Sequence, residues 1–115
     1  MPEKQNVIIV GAGPVGFLTA LGLARQGIEV TILDAEQEVN ASPRAAVYYH
    51  TTLSILNKLG VADDAHAIGL PSTEFRMHWL ATGETMSSDM RETLEPGQEY
   101  DHNLHFGQHI LAELV

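Results

Sequence analysis

Two short β-branched apolar runs open the chain, with a longer apolar stretch between them. Val7-Ile8-Ile9-Val10 predicts a strand over 6–10, and Glu29 to Leu33 predicts a second. Val15 to Gln26, apolar nearly all round, predicts a helix covered on two sides, and Gly27 stops it. Ala35 to Pro43 is a polar connection, and Val47-Tyr48-Tyr49 is a short aromatic stretch. Thr51 or Thr52 is expected to cap a helix that runs to Leu59, with Gly60 just past its end and Leu53, Leu56 and Leu59 as its apolar stripe. Asp63 starts another short helix. Thr73 to Leu80 alternates like a half-buried strand, with Phe75, Met77 and Trp79 on one face, and Thr82-Gly83-Glu84 turns it into Thr85 to Ser88. Asp89 to Asp101 reads as charged and irregular, Leu104-His105-Phe106 as a strand, and Gln108 onward as a helix.

The junction between the first strand and the first helix carries the chemistry. Gly11-Ala12-Gly13-Pro14-Val15-Gly16 is a G-x-G-x-x-G turn, and Asp34 stands 18 positions after its last glycine, at the end of the second strand. This is the dinucleotide-binding pattern in its proper setting, strand to turn to helix to strand to acid. Gly11 permits the tight turn, and Gly13 lets a pyrophosphate approach the backbone. Gly16, with Ala20, lets the helix lie close to the strands. Pro14 fits the first helical position, where its missing N–H costs nothing. The free N–H groups of that turn and the positive end of the helix dipole bind phosphate. Asp34 can accept both hydroxyls of an adenosine ribose. It would repel a 2′-phosphate, and the following Ala35 and Glu36 supply no arginine, which argues against an NADP-type ligand here. The bland reading, an ordinary turn beside a solvated aspartate, does not account for all these features together.

Composition narrows the partners. The chain has 115 residues and a formal net charge of −9, which argues against nucleic acid or an anionic membrane as partner. An anionic cofactor must then be held by local dipoles and placed cations against the overall field. With no cysteine there is no disulfide, thiolate catalysis or zinc–thiolate site, and the cytoplasm is the default address. Val7 to Ala24 has no charge over 18 residues, but Gly11, Gly13, Gly16, Gly22 and Pro14 argue against a spanning helix, and Glu3 and Lys4 make a poor signal-peptide start. His102, His105 and His109 have spacings a metal could use, but without cysteine or a carboxylate at a matching helical position the expectation is no metal site.

A complete doubly wound domain needs several βα units, and only the first is plain here. The expected fold class is α/β: a Rossmann-like βαβ start followed by an arginine-led helix and a short antiparallel excursion instead of a further β–α–β, an ordering that points to a flavin-binding variant. Residues 1–115 read as the N-terminal part of such a domain, because the closing apolar helix Ala112 to Val115 meets no stop signal.

The chain resembles the N-terminal portion of the FAD-dependent aromatic-ring monooxygenases of the para-hydroxybenzoate and phenylpropionate hydroxylase type. Three segments carry the resemblance: Gly11 to Phe17 with Asp34; Pro43-Arg44-Ala45 with Thr52 to Gly60; and Phe106 to Leu111. It implies that Arg44, next to Ala45, reaches the ribityl–pyrophosphate region of FAD and that Gln108 reaches the ribityl chain. A guanidinium suits a pyrophosphate, and an amide can both donate to and accept from hydroxyls. The chain departs from the pattern at Asp34, where glutamate is common, at Ala46 and Val47, where a glycine is common, and at Ser54, where glutamate is common. The implied cofactor set is FAD with NADH or NADPH as transient electron donor, and the implied partners are a small aromatic substrate and O₂. The flavin does the hard chemistry, and no catalytic acid or base is named in this segment. A reductase or halogenase of the same fold, a nucleotide-binding module without chemistry, and an NAD-dependent dehydrogenase are the other readings.

Overall fold

The computed structural model describes residues 6–42 and 44–115; Pro43, Glu3 and Lys4 lie outside the described residues. Strand β1 (Asn6–Val10), helix α1 (Pro14–Ala24) and strand β2 (Glu29–Leu33) form a βαβ unit. The strands pair in parallel, Val7 opposite Val30 and Ile9 opposite Ile32. The ladder continues into the turn, where Gly11 N–H donates to the Leu33 carbonyl at 2.7 Å. Along both strands, half-buried and exposed residues alternate. Helix α1 lies against this sheet, while on the exposed positions Ile8, Val10 and Leu33 are 62%, 83% and 51% accessible. A strand pair apolar on both faces is built to be covered on both, as parallel sheets are.

Helix α1 ends as its sequence requires. Gly27 adopts φ +80, its N–H donates to Ala24, and Ile28 N–H reaches back to Leu23, the pattern that closes helices on a left-handed glycine. The predicted cover on two sides is only partly realised: no residue of α1 is fully buried, and Val15 is 80% accessible. Leu18 and Leu21 do pack against the core.

That core lies in the second half of the chain. Strand β3 (Val47–Tyr48) leads into helix α2 (His50–Lys58), helix α3 (Ala62–Ile68) and strand β4 (Leu70–Ser72), a strand that the pattern of apolar residues did not announce. Helix α2 starts earlier than expected. Its N-cap is Tyr49, with no side-chain cap, so neither Thr51 nor Thr52 has that role. The Gly60 end is as predicted, with φ +79 and Val61 N–H donating to the Leu56 carbonyl. Arg25, beyond the end of α1, donates to the Leu59 carbonyl at 2.6 Å. That places a cation at the negative end of α2 and ties the two halves together.

Strand β5 (Glu74–His78) and strand β6 (Thr85–Asp89) form the predicted hairpin, with Gly83 at φ +75 in its turn. It is not half-buried: every residue of β5 is exposed, and the two strands pair only with each other. Phe75, Met77 and Trp79 therefore sit on an open ribbon rather than a core face. The projection shows in the dimensions: the radius of gyration is 17.9 Å, against about 13 Å for a compact domain of roughly this size. After a 3₁₀ turn at Met90–Glu92, strand β7 (Asn103–His105) enters between β3 and β4 in an antiparallel sheet, and helix α4 (Gln108–Leu114) follows.

Leu53, Leu56, Leu104 and Leu111 have essentially no accessible surface, and Tyr48 stacks on Phe106 with ring centroids 4.1 Å apart. These residues come from α2, β7 and the residue just after it, α4 and β3, so one apolar cluster joins segments far apart in sequence. Replacing Leu56 with alanine should destabilise the protein by about 2–5 kcal/mol, since it removes a filled core position from a close-packed site. Denaturant unfolding of the full-length protein checks this; a change below about 0.5 kcal/mol would show that the cluster is not the stabilising core.

Candidate cofactor site

The glycine turn is shaped by two approaches of backbone to backbone. Gly11 sits at φ +107, a region that side chains disfavour. A Cβ on Gly16 would lie 1.9 Å from the Gly11 carbonyl oxygen, closer than atoms can come. Only glycine at position 16 lets α1 begin this near the strand it follows. Gly13 differs: it is the N-cap of α1, at φ −79 and ψ 180, and a Cβ there meets nothing within 4 Å. The space above it is open.

That space is the mouth of a cleft of about 450 Å³. Ala12, Gly13, Pro14 and Phe17 form one wall, and Asp34, Glu36 and the polar connection to Ser42 form another; Arg44, Gln108, His109 and Ala112 close it. The start of α1 opens into it uncapped. Its N-cap has no side chain, the first turn holds no acid, and Pro14 has no N–H. The first intrahelical bond is Phe17 N–H to the Gly13 carbonyl at 3.0 Å, which leaves the N–H groups of Val15 and Gly16 without an intrahelical acceptor.

Asp34 braces this loop. Its Oδ2 accepts from Ala12 N–H at 2.5 Å and its Oδ1 accepts from Glu36 N–H at 2.7 Å. The Ala12 N–H, then the Glu36 N–H, hold its carboxyl below the usual 3.8 by favouring the charged form. Each oxygen keeps a lone pair for a further donor. Arg25, Arg76 and Arg91 are taken up by Leu59, Glu74 and Asp89, whereas Arg44 has no partner among the described residues. It lines a cleft whose other charged lining groups among the described residues, Asp34, Glu36 and Glu38, are acidic.

Six residues expected at the site therefore meet in one cleft: Ala12, Gly13, Pro14, Asp34, Arg44 and Gln108. Gly11 and Gly16 lie behind it and shape the turn. Val15 points to solvent, and neither it nor Ala35 or Ala45 is among the lining residues. Sequence reading missed Phe17, the acidic connection after Asp34, and His109 as wall residues. Phe17 and His109 each adjoin a recognised motif residue, which was the available signal. The three histidines considered for metal separate: His102 Nε2 meets His66 Nε2 at 2.8 Å, His105 meets Ser72 Oγ at 2.6 Å, and His109 lines the cleft. Among the described residues no helix is long and apolar enough to cross a membrane.

A parallel βαβ unit with an uncapped glycine turn and an acid at the second strand end defines a dinucleotide-binding fold. This chain belongs to the FAD binding domain family, which it matches over residues 4–114. It is 45% identical over 115 residues to the 6-hydroxy-3-succinoylpyridine 3-monooxygenase HspB of Pseudomonas putida, covering all of this chain and 29% of that protein. It is 33% identical over 117 residues to the para-nitrophenol 4-monooxygenase of a Pseudomonas species, covering 100% of this chain and 28% of that one. The crystal structure of p-nitrophenol 4-monooxygenase PnpA from Pseudomonas putida superposes with a TM-score of 0.86 at 32% identity, over 96% of this chain and 28% of that one. The flavin-dependent monooxygenase PieE, solved with FAD and substrate, gives 0.75 at 25% identity, over 99% of this chain and 22% of that one. The chain spans less than a third of the length of the relatives it matches. FAD is the cofactor of the fold.

Replacing Gly13 with valine should abolish FAD binding and leave folding intact, because a Cβ there meets no protein and the side chain would grow into the cleft mouth. Gly16→Ala should instead destabilise the apoprotein, because its Cβ meets the Gly11 carbonyl. Thermal melts with FAD titrations separate the two; equal behaviour of both variants would contradict the division of roles. Asp34 gives a pH prediction. Its folded pKa is depressed, so its bracing of the loop is fully present above pH 3.8 and is lost only as pH falls through the lower folded value. A carboxylate NMR titration giving a midpoint at or above 3.8 would contradict the Ala12 and Glu36 contacts.

Proposed function

We propose that the full-length protein is an FAD-dependent monooxygenase. It hydroxylates a small phenolic or hydroxylated heteroaromatic ring, with NADH or NADPH as electron donor and O₂ as oxygen source, in the cytoplasm. Residues 1–115 would be the first part of its FAD-binding domain, and further chain would cover the apolar sheet face bearing Ile8, Val10 and Leu33. The observation that carries this is the cleft itself: glycine turn, Asp34, Arg44 and Gln108, far apart in sequence, line one cavity. Similarity along the whole chain to enzymes named for hydroxylated pyridine and nitrophenol oxidation supports the substrate class.

The residues present fit the cofactor. The Val15 and Gly16 N–H groups would donate to the pyrophosphate over Gly13, aided by the dipole of α1. Asp34 would accept from the adenosine ribose with the lone pairs its backbone contacts leave free. Arg44 would place its guanidinium on the pyrophosphate and offset the acids around it. Gln108, the first residue of α4, would donate to and accept from ribityl hydroxyls. Ala12, Pro14 and Val15 would contribute backbone, with Ala35 and Ala45 beside the ribose and the arginine. Once reduced by the nicotinamide, FAD supplies the activation of O₂ for insertion into the ring. This segment would bind and orient the cofactor.

Purified full-length protein should be yellow and should release one FAD per chain on denaturation. With a panel of phenols and hydroxypyridines, NAD(P)H oxidation should be stimulated by substrate and should yield a hydroxylated product. Bound NAD without flavin, or flavin turnover with no oxygen incorporated, would overturn the proposal. Arg44→Ala should weaken FAD binding by roughly ten- to a hundredfold, the worth of a lost charge-assisted bond. Lysine at that position should recover only part of it. Unchanged affinity in the alanine variant would remove Arg44 from the site.

A further inference from the structure

We propose that His66 and His102 hold one proton between them, so that the pair carries a single positive charge and clamps helix α3 to the segment entering β7. The two rings meet Nε2 to Nε2 at 2.8 Å, a hydrogen-bond distance. Each ring's other nitrogen meets an oxygen that can only accept. His66 Nδ1 lies 2.7 Å from the Ala62 carbonyl oxygen, and His102 Nδ1 lies 3.1 Å from Asp101 Oδ1. The bond from His102 is the main cause that holds the Asp101 carboxyl below the usual carboxylate range, so this acceptor is charged. Both Nδ1 atoms therefore carry hydrogen.

A neutral imidazole has one N–H. With both hydrogens at Nδ1, two neutral rings would aim bare lone pairs at each other across the gap. Two doubly protonated rings would oppose two N–H groups and two positive charges. One hydrogen on the Nε2–Nε2 line satisfies all three contacts together: three hydrogens on four ring nitrogens, and one charge. The spacing favours a proton over a metal ion, since two nitrogens bound tetrahedrally to zinc stand about 3.3–3.4 Å apart. Among the described residues no group of three or more His, Asp or Glu side chains is placed to hold a metal.

The surroundings suit a cation. Tyr100 stacks on His66 with ring centroids 5.4 Å apart and meets the edge of His102 at 5.8 Å. Its hydroxyl is pushed up from its ordinary value, first by burial and then by Glu99 and Asp63, so it stays neutral and adds no charge. The acids at this cluster are Asp101, Glu99, and Asp63 with Asp64 in the first turn of α3. Arg91, which also acts on Asp101, is bound to Asp89. None of the three rings lines the cofactor cleft, so the device is separate from that site. It bridges 36 positions of sequence and acts just ahead of β7, the central strand of its sheet. Raising the pH until the shared proton leaves, or lowering it until both rings are charged, opens the contact.

The full-length protein, labelled with ¹⁵N in its histidine rings, would be titrated by NMR across about pH 5 to 8, where histidines change charge. His66 and His102 should lose their protons in two separated steps, with an interval in which the pair holds one. Backbone hydrogen-exchange protection at Asn103 and Leu104, corrected for intrinsic pH dependence, should peak in that interval. It should fall about tenfold on either side, the worth of one charge-assisted hydrogen bond. His102→Gln supplies a neutral donor at the Nε2 position, so His66 should then titrate in one step and the protection peak should vanish. His66→Leu should leave His102 titrating alone; if that variant does not fold, the glutamine variant still decides. Independent single-step titrations of both rings in the parent, or protection indifferent to pH, would overturn the proposal. So would loss of the two-step pattern on treatment with EDTA, which would make the bridge a metal ion.

Discussion

The structure depends on how closely helix α1 can approach strand β1. The Gly16 backbone sits where no Cβ could fit beneath the Gly11 carbonyl, and this approach fixes both the direction and the starting point of the helix. Without it, α1 would start further from the strands. Its free N–H groups would no longer face the end of β2, where Asp34 stands. The bond from Ala12 N–H to Asp34 locks the same geometry from the other side. One side chain therefore braces the glycine turn and, in the proposed function, would also meet the ribose, which would couple loop order to cofactor recognition.

Electrostatics makes this placement matter. The chain carries nine net negative charges, and among the described residues three acids line the cleft against one arginine. The average field repels an anionic cofactor, so attraction must come from dipoles and a cation within a few ångströms. In the proposed function an uncapped helix start would supply the first, and Arg44 the second. The other described arginines being committed elsewhere gives Arg44 its particular weight.

The βαβ unit was legible in the sequence because its constraints are local. The strands alternate in burial, the glycines have separate steric jobs, and Gly27 and Gly60 end helices by adopting positive φ. The departures arise where tertiary context decides. The start of α2 was misplaced because Tyr49 caps it through backbone alone, so the threonines that look like caps are spare. Strand β4 was missed because Leu70-Pro71-Ser72 has little strand character of its own; it becomes a strand by pairing with β7. The β5 alternation was read correctly as a strand and wrongly as half-buried, since period-two patterning says which residues share a face, not whether that face is covered. At the cleft, the glycine turn and Asp34 were legible from spacing and Arg44 and Gln108 from resemblance, whereas Phe17 and His109 join the wall only in the folded chain.

A crystal structure of the full-length protein with FAD tests the central claim most directly. The account predicts pyrophosphate oxygens within about 2.7–3.2 Å of the Val15 and Gly16 amide nitrogens. It also predicts ribose hydroxyls on Asp34, with the Ala12 contact to that carboxylate retained. A pyrophosphate bound away from the Gly13 turn, or an Asp34 carboxylate directed to solvent with no sugar contact, would contradict it.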